Sequence, residues 1–253
     1  GDRMSRAMKI TLRSLCAAAL LLPGLLLAAT EVKLEHARYD LTDKASLQRG
    51  ARTFVNYCLS CHSAAYMRFN RLQDLGLSEQ QIEKNLLFSA EKVGDTMNIA
   101  MNKKDAKEWF GAAPPDLSVV ARSRGPDWLY SYMRGFYRDD TRSTGWNNTV
   151  FDKVGMPHVL WQLQGDQVLK VEKVAAQGHG EAHEKKTLVL EKQGSMTPSE
   201  YDAMVSDLVN FLVYMGEPAK TARMQLGIVV ILLLGVLFVL SYYLKKEYWR
   251  DVH

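Results

Sequence analysis

Cys58-Leu59-Ser60-Cys61-His62 is the stretch from which the rest of the chain is read. Two thiols three residues apart each reach one vinyl group of the same porphyrin, and a histidine directly after them falls beneath the iron, so C-x-x-C-H is the attachment signature of a c-type haem. Two other chemistries use the same letters. A zinc half-site needs a second ligand pair, but the only other cysteine is Cys16, and His158, His179 and His183 form no matching partner. A thioredoxin-like dithiol sits at a helix N-terminus in a βαβ pattern. Here Leu47, Ala51, Phe54, Val55 and Cys58 recur at helical spacing after a capping Asp43, so the pair comes at a helix C-terminus instead.

Downstream, Ser78 to Phe88 and Trp109-Phe110-Gly111 read as short helices and loops, followed by Pro114-Pro115-Asp116-Leu117. A further helix is expected from about Pro126 to Tyr137. Residues 139–157 are rich in Gly, Asn, Thr and Asp without a period, so they read as loop. Gln167 to Val174 and Lys186 to Gln193 alternate apolar with polar residues around a hydrophilic tip at 175–185, the pattern of a β-hairpin. Thr197-Pro198-Ser199-Glu200 is a capping box with Pro in the first turn, opening a helix whose apolar face carries Tyr201, Met204, Val205, Leu208, Leu212 and Met215 and which stops at Gly216 and Pro218.

A haem iron needs a sixth ligand, and eleven methionines compete for the role. Met156 is the leading candidate, because it stands in a loop between Gly155, which permits close backbone approach, and Pro157, which stiffens the exit. Met97, Met101 and His158 stay as alternatives, whereas Met204 and Met215 read as core filler. A thioether opposite a histidine raises the reduction potential and suits electron transfer. The porphyrin's carboxylates call for planar cations, and Arg122 and Arg124 are candidates.

The ends of the chain report a membrane. Arg3, Arg6, Lys9 and Arg13 precede an apolar run from Leu15 to Leu27 and then Ala28 and Ala29, the layout of a cleavable signal peptide over residues 1–29. Met224 to Leu244 holds 21 residues without a charge, enough to cross the hydrocarbon core, and Lys245, Lys246, Tyr248, Trp249 and Arg250 follow it. Between Glu31 and Lys220 there are 24 lysines and arginines against 25 aspartates and glutamates. The overall charge of +4 therefore lies in the ends and follows topology, which argues against a nucleic-acid partner. The expected division is a signal peptide at 1–29, a periplasmic haem domain at 30–220, a transmembrane anchor at 221–245 and a cytoplasmic tail at 246–253.

Ser46-Leu47-Gln48-Arg49-Gly50, the haem motif, Pro114-Pro115-Asp116-Leu117-Ser118, Gly155-Met156-Pro157 and the single C-terminal anchor, in that order, resemble cytochrome c1 of the proteobacterial type, the haem subunit of the quinol:cytochrome c reductase or bc1 complex. The resemblance covers about Glu35 to His253. It implies a mainly α cytochrome c fold with a β-hairpin insertion and one C-terminal transmembrane helix. In such a fold the helix from Asp43 crosses the helix from Pro198, and Gly50 allows close approach by Phe211 or Tyr214. It further implies one haem c on Cys58 and Cys61, His62 and Met156 as iron ligands, Arg124 as a propionate partner, and Pro114, Pro115, Leu117 and Trp128 as pocket contacts. The implied partners are cytochrome b, a Rieske iron–sulfur protein as electron donor, a soluble or tethered c-type cytochrome as acceptor, and membrane lipid. Some members fasten the methionine region with a disulfide, and this chain has no spare exported cysteine to make one. Two other readings are a stand-alone tethered cytochrome c that feeds a terminal oxidase and a haem enzyme such as a peroxidase, which needs an open iron site.

Overall fold

The computed structural model describes residues 33–174 and 183–251. The signal-peptide reading, Cys16 and the hairpin tip with His179 lie outside the described residues.

Helix α1 (Lys44–Thr53) begins where Asp43 accepts a hydrogen bond from the Ser46 amide and continues into one π-helical turn, Phe54–Cys58. Across that turn Leu59 N donates to the Phe54 carbonyl at 3.0 Å. A π turn widens the helix by one residue and is favoured at functional sites; here it immediately precedes the haem motif. Strand β1 (Ala64–Arg68), a 3-10 segment (Phe69–Leu75), α2 (Glu79–Asn85), β2 (Thr96–Met97), α3 (Lys103–Phe110), α4 (Val120–Arg124) and α5 (Pro126–Arg134) follow. Then come β3 (Phe136–Arg138), β4 (Trp146–Asn148), α6 (Trp161–Gln164), β5 (Gly165–Val174), β6 (His183–Gln193), α7 (Pro198–Gly216) and α8 (Lys220–Tyr248). The strands form three separate antiparallel pairs, β1 with β2, β3 with β4 and β5 with β6.

The core lies where α1 crosses α7. A Cβ on Gly50 would sit 2.1 Å from the Asp207 carbonyl and 2.7 Å from the Phe211 Cβ, so any side chain there must push the two backbones apart. Phe54 and Phe211 pack with ring centroids 5.6 Å apart, and Asn210 donates to the Asp40 carbonyl and the Ser46 hydroxyl. Arg49 binds Asp207 in bidentate fashion at 2.6 and 2.9 Å. Half exposed, that pair contributes about 1 kcal/mol or less and serves mainly to set register. Helix α7 has the expected Thr197/Glu200 capping box, Pro198 in its first turn and its last residue at Gly216.

Two expectations are refined. The helix from Pro126 ends at Arg134, where the Gly135 amide caps it by donating to the Tyr132 carbonyl, and Phe136–Arg138 instead pairs with Trp146–Asn148. A strand therefore stands in the stretch read as loop. The hairpin is present and starts two residues earlier than expected, at Gly165, where φ of +102° and a would-be Cβ 2.0 Å from the Lys192 carbonyl both demand glycine.

Helix α8 has 29 residues, about 44 Å at 1.5 Å per residue, and a mean hydropathy of 2.7 over its most apolar window. Its side chains are exposed along its length, and it is long and apolar enough to span a membrane.

Candidate haem site

Cys58 and Cys61 are free thiols one turn apart; the Cys61 and His62 amides both donate to the Cys58 carbonyl, at 3.1 and 2.8 Å. Burial, and then the neighbouring Cys61, push the Cys58 thiol up to about 12. A thiol raised in this way is a poor source of thiolate. No group of three or more His, Cys, Asp or Glu suited to a metal occurs among the described residues.

His62 is buried, and its Nδ1 lies 2.7 Å from the Pro115 carbonyl oxygen. A carbonyl only accepts, so Nδ1 carries the proton and Nε2 keeps its lone pair, the tautomer that a histidine ligand to iron requires. Burial lowers the histidine's pKa, against the raising effect of that hydrogen bond, and keeps the ring neutral. The Pro115 carbonyl is held in place in turn. The Ala65 amide donates to Asp116 Oδ2 at 2.9 Å, the Tyr66 amide to the Ser118 hydroxyl at 3.1 Å, and the Leu117 amide to the Ser63 carbonyl at 2.8 Å. The Pro-Pro-Asp-Leu-Ser segment is thus stitched residue by residue to the chain just past His62. Pro114 and Leu117 are half-buried in this segment and Pro115 is exposed.

On α5 and beyond, residues four apart build an aromatic stripe. The Arg124 guanidinium lies 5.2 Å over the Trp128 ring. Trp128 stacks on Tyr132 at 4.7 Å and 11°, and Tyr132 meets Phe136 edge-on at 5.1 Å. Phe136 stacks on His158 at 4.8 Å, and Trp146 closes His158 from the side. Met156 is half-buried, with its sulfur 3.4 Å from the Tyr132 hydroxyl. Burial raises the Tyr132 phenol, which stays protonated.

The loop carrying Met156 is organised by Asn147. Its Nδ2 donates to Asp139 and Asp152, both at 3.0 Å, and its Oδ1 accepts from the amides of Asn148 and Lys153. Lys153 adopts φ of +58°, an αL conformation stabilised by that contact. Gly155 fulfils its expected purpose, since a Cβ would lie 2.7 Å from the Phe110 carbonyl.

The other candidates fall elsewhere. Met97 is fully buried and pairs with Ala64, beside the histidine's own segment, and Met101 is half-buried nearby. His158 is buried behind Phe136, with no hydrogen bond in good geometry to either ring nitrogen among the described residues. Burial holds its pKa at about 4. Arg122 runs its stem along α7, where a Cβ on Gly216 would be 3.3 Å away, and neither it nor Arg124 pairs with a carboxylate among the described residues. Both guanidinium groups are available to an anion. Residue-by-residue reading missed Tyr132, Asn147 and Ser118. The four-residue interval Arg124, Trp128, Tyr132, Phe136 was the available signal for Tyr132; the other two act through contacts that no local pattern announces.

Free thiols at this spacing, a histidine whose Nδ1 is held by a carbonyl, arginines without a carboxylate partner among the described residues and an aromatic stripe fit a covalently bound porphyrin, and α8 adds an anchor. These features define a membrane-anchored c-type cytochrome. The sequence profile of the Cytochrome C1 family matches residues 35–252, and the chain belongs to that family, haem electron carriers of the bc1 complex with one covalently attached c-type haem. It is 52% identical to cytochrome c1 of Allochromatium vinosum over 92% of this chain and 96% of that one. It is 30% identical to cytochrome c1 of Rhodospirillum rubrum over 83% of each. A relative from Nitrosomonas europaea named ammonia monooxygenase gamma subunit is 55% identical over 88% of this chain and 90% of that one.

Proposed function

We propose that this chain takes one electron from a Rieske iron–sulfur protein and passes it to a soluble or tethered periplasmic c-type cytochrome during quinol oxidation, beside cytochrome b. The bound haem supplies a one-electron Fe(III)/Fe(II) couple. Cys58 and Cys61 hold the porphyrin by thioether bonds, and His62 presents Nε2 to the iron because Pro115 occupies Nδ1. Met156 would supply a thioether ligand to the iron, Arg124 would pair with a propionate, and Pro114, Pro115, Leu117 and Trp128 would contact the porphyrin. The residues at 1–29 direct export, 30–220 form the periplasmic domain, 221–245 lie in lipid and 246–253 remain in the cytoplasm.

The observation that carries this reading is the His62–Pro115 contact at the end of a C-x-x-C-H turn, within a chain of the Cytochrome C1 family. With His62 and Met156 both as ligands, a bound haem would have no open iron site and would favour electron relay over chemistry on oxygen or peroxide. The relative from Nitrosomonas europaea carries the name of an oxygenase subunit, and the same measurement addresses that chemistry. Purification in mild detergent is expected to co-elute cytochrome b and a Rieske protein and to retain quinol oxidation. A lone haem protein that restores no quinol oxidation would instead support the stand-alone cytochrome, and a reduced form that binds carbon monoxide readily would support a haem enzyme.

A further inference from the structure

Tyr132 has no assigned part in the site, and its geometry gives it one. The side chain is 9% exposed and held on three sides: Trp128 stacks on one face, Phe136 abuts the ring, and the residue's own carbonyl accepts from Asn148 Nδ2 at 2.7 Å. The ring therefore has little freedom to swing. Among the described residues the hydroxyl's one hydrogen-bonding partner is the Met156 sulfur, at 3.4 Å. A buried hydroxyl without a partner costs about 1–3 kcal/mol. Phe136, one turn further along the same stripe, fills the core with no hydroxyl at all, so packing alone does not call for a phenol at 132.

We infer that Tyr132 is a positioning residue for the sixth ligand: its hydroxyl donates to the second lone pair of the Met156 thioether, aims the first at the iron and raises the reduction potential. This rests on Met156 being the ligand, as proposed above. A thioether sulfur has two lone pairs and is a weak acceptor. Drawing density from one leaves less to donate through the other. The O–H dipole also turns its positive end toward the sulfur, and would add to the positive field at a metal bound through it. Both effects disfavour the ferric state, which carries one more positive charge, relative to the ferrous state. The loop that carries Met156 has no cysteine to pin it, so the hydroxyl also serves as a directional tether.

The test uses the full-length haem protein in detergent, comparing the parent with Tyr132→Phe and Tyr201→Phe. Tyr201 is the control because its buried hydroxyl donates to the Met133 carbonyl at 2.8 Å and not to the methionine. Redox titration is expected to show a lower midpoint for Tyr132→Phe, with the ratio of reduced to oxidised protein at a fixed ambient potential falling roughly two- to tenfold, the worth of one net hydrogen bond. The sulfur-to-iron charge-transfer band of its oxidised form is expected to move, while Tyr201→Phe shifts neither. Unchanged potential and band in Tyr132→Phe, or equal shifts in Tyr201→Phe, would overturn the inference alone. A parent protein without the band would overturn the ligand assignment and this inference with it. In the reduced, diamagnetic parent, a nuclear Overhauser contact between the Tyr132 hydroxyl proton and the Met156 methyl is expected. Its absence refutes the tether even if Tyr132→Phe does not fold.

Discussion

On the histidine side of the haem site, five consecutive residues and one backbone carbonyl do the work, whereas on the methionine side the work is spread over side chains from three separate segments. Cys58, Cys61 and His62 share a single turn, and the Pro115 carbonyl that orients the imidazole belongs to a segment tied to residues 63–66 by one backbone pair, Leu117 to Ser63, and by two amides that donate to the Asp116 and Ser118 side chains. Met156 stands 94 residues further on, and its loop is shaped by Asn147, by the close approach of Gly155 to Phe110 and by the Tyr132 hydroxyl. Backbone hydrogen bonds survive most substitutions, because every residue but proline carries the same donor and acceptor. A side-chain hub fails with one. The His62–Pro115 contact and the Leu117–Ser63 bond are consequently robust, whereas the Asp116 and Ser118 stitches and the contacts around Met156 can each be lost to one substitution.

The largest test of that contrast removes the covalent link. The double variant Cys58→Ala, Cys61→Ala is expected to yield no covalently attached haem, read as the pigment left on the polypeptide after denaturation and extraction into acidified solvent. Pigment that still resists extraction would break the comparison at its root. Next in size, Met156→Leu is expected to lower the midpoint potential substantially and to stall quinol oxidation while the haem stays attached, since leucine matches the volume and lacks the sulfur. An unchanged potential in redox titration would remove Met156 from the ligand role and reopen Met101 and His158.

A smaller and more local effect is expected from Asn147→Ala. It deletes four hydrogen bonds at one residue and leaves the Lys153 αL turn without its contact, worth about 2–3 kcal/mol together. Thermal scans of the oxidised protein should then lose the sulfur-to-iron band several degrees before the fold melts; coincident transitions would mean that the loop is held otherwise.

The smallest effect is that of acid. On the histidine side burial raises the Asp116 carboxyl but is outweighed by hydrogen bonds from Ser118 and Ala65, and on the methionine side the Thr141 hydroxyl and Asn147 lower Asp139. Both therefore titrate below their ordinary value of 3.8. Their stabilisation is complete above that value and drains away as pH falls through the lower folded values. Below about pH 3.8 the segments around His62 and Met156 are both expected to loosen while a covalently attached haem stays on the chain. Asp116→Asn and Asp139→Asn should each flatten part of that acid slope in stability measurements, and slopes identical to the parent's would show that neither carboxylate matters.

Much of the architecture was legible one residue at a time. Asp43 and the Thr197/Glu200 box mark helix starts, Gly216 a helix end, and alternation at 167–174 and 186–193 a hairpin, because caps and periods act over a few residues. Gly50 was legible only through the resemblance to cytochrome c1, which implies the crossing helix that a costly helical glycine makes room for. The departures share one cause. The strand Trp146–Asn148 exists only through its pairing with Phe136–Arg138, and the π turn at Phe54–Cys58 departs from a helical period too briefly to register.

By itself the sequence determined the kind of haem, its covalent attachment and an apolar anchor able to cross a membrane, and it put His62 forward as the proposed ligand, since each is written in contiguous residues whose chemistry needs no partner from elsewhere. Only the tertiary structure decided that the Met156 sulfur meets the Tyr132 hydroxyl, that Asn147 rather than a disulfide organises the methionine loop, and that His158 is walled off by Phe136 and Trp146. Those outcomes depend on contacts between distant segments, and a short-range pattern carries no information about which distant side chain will fill the same few ångströms.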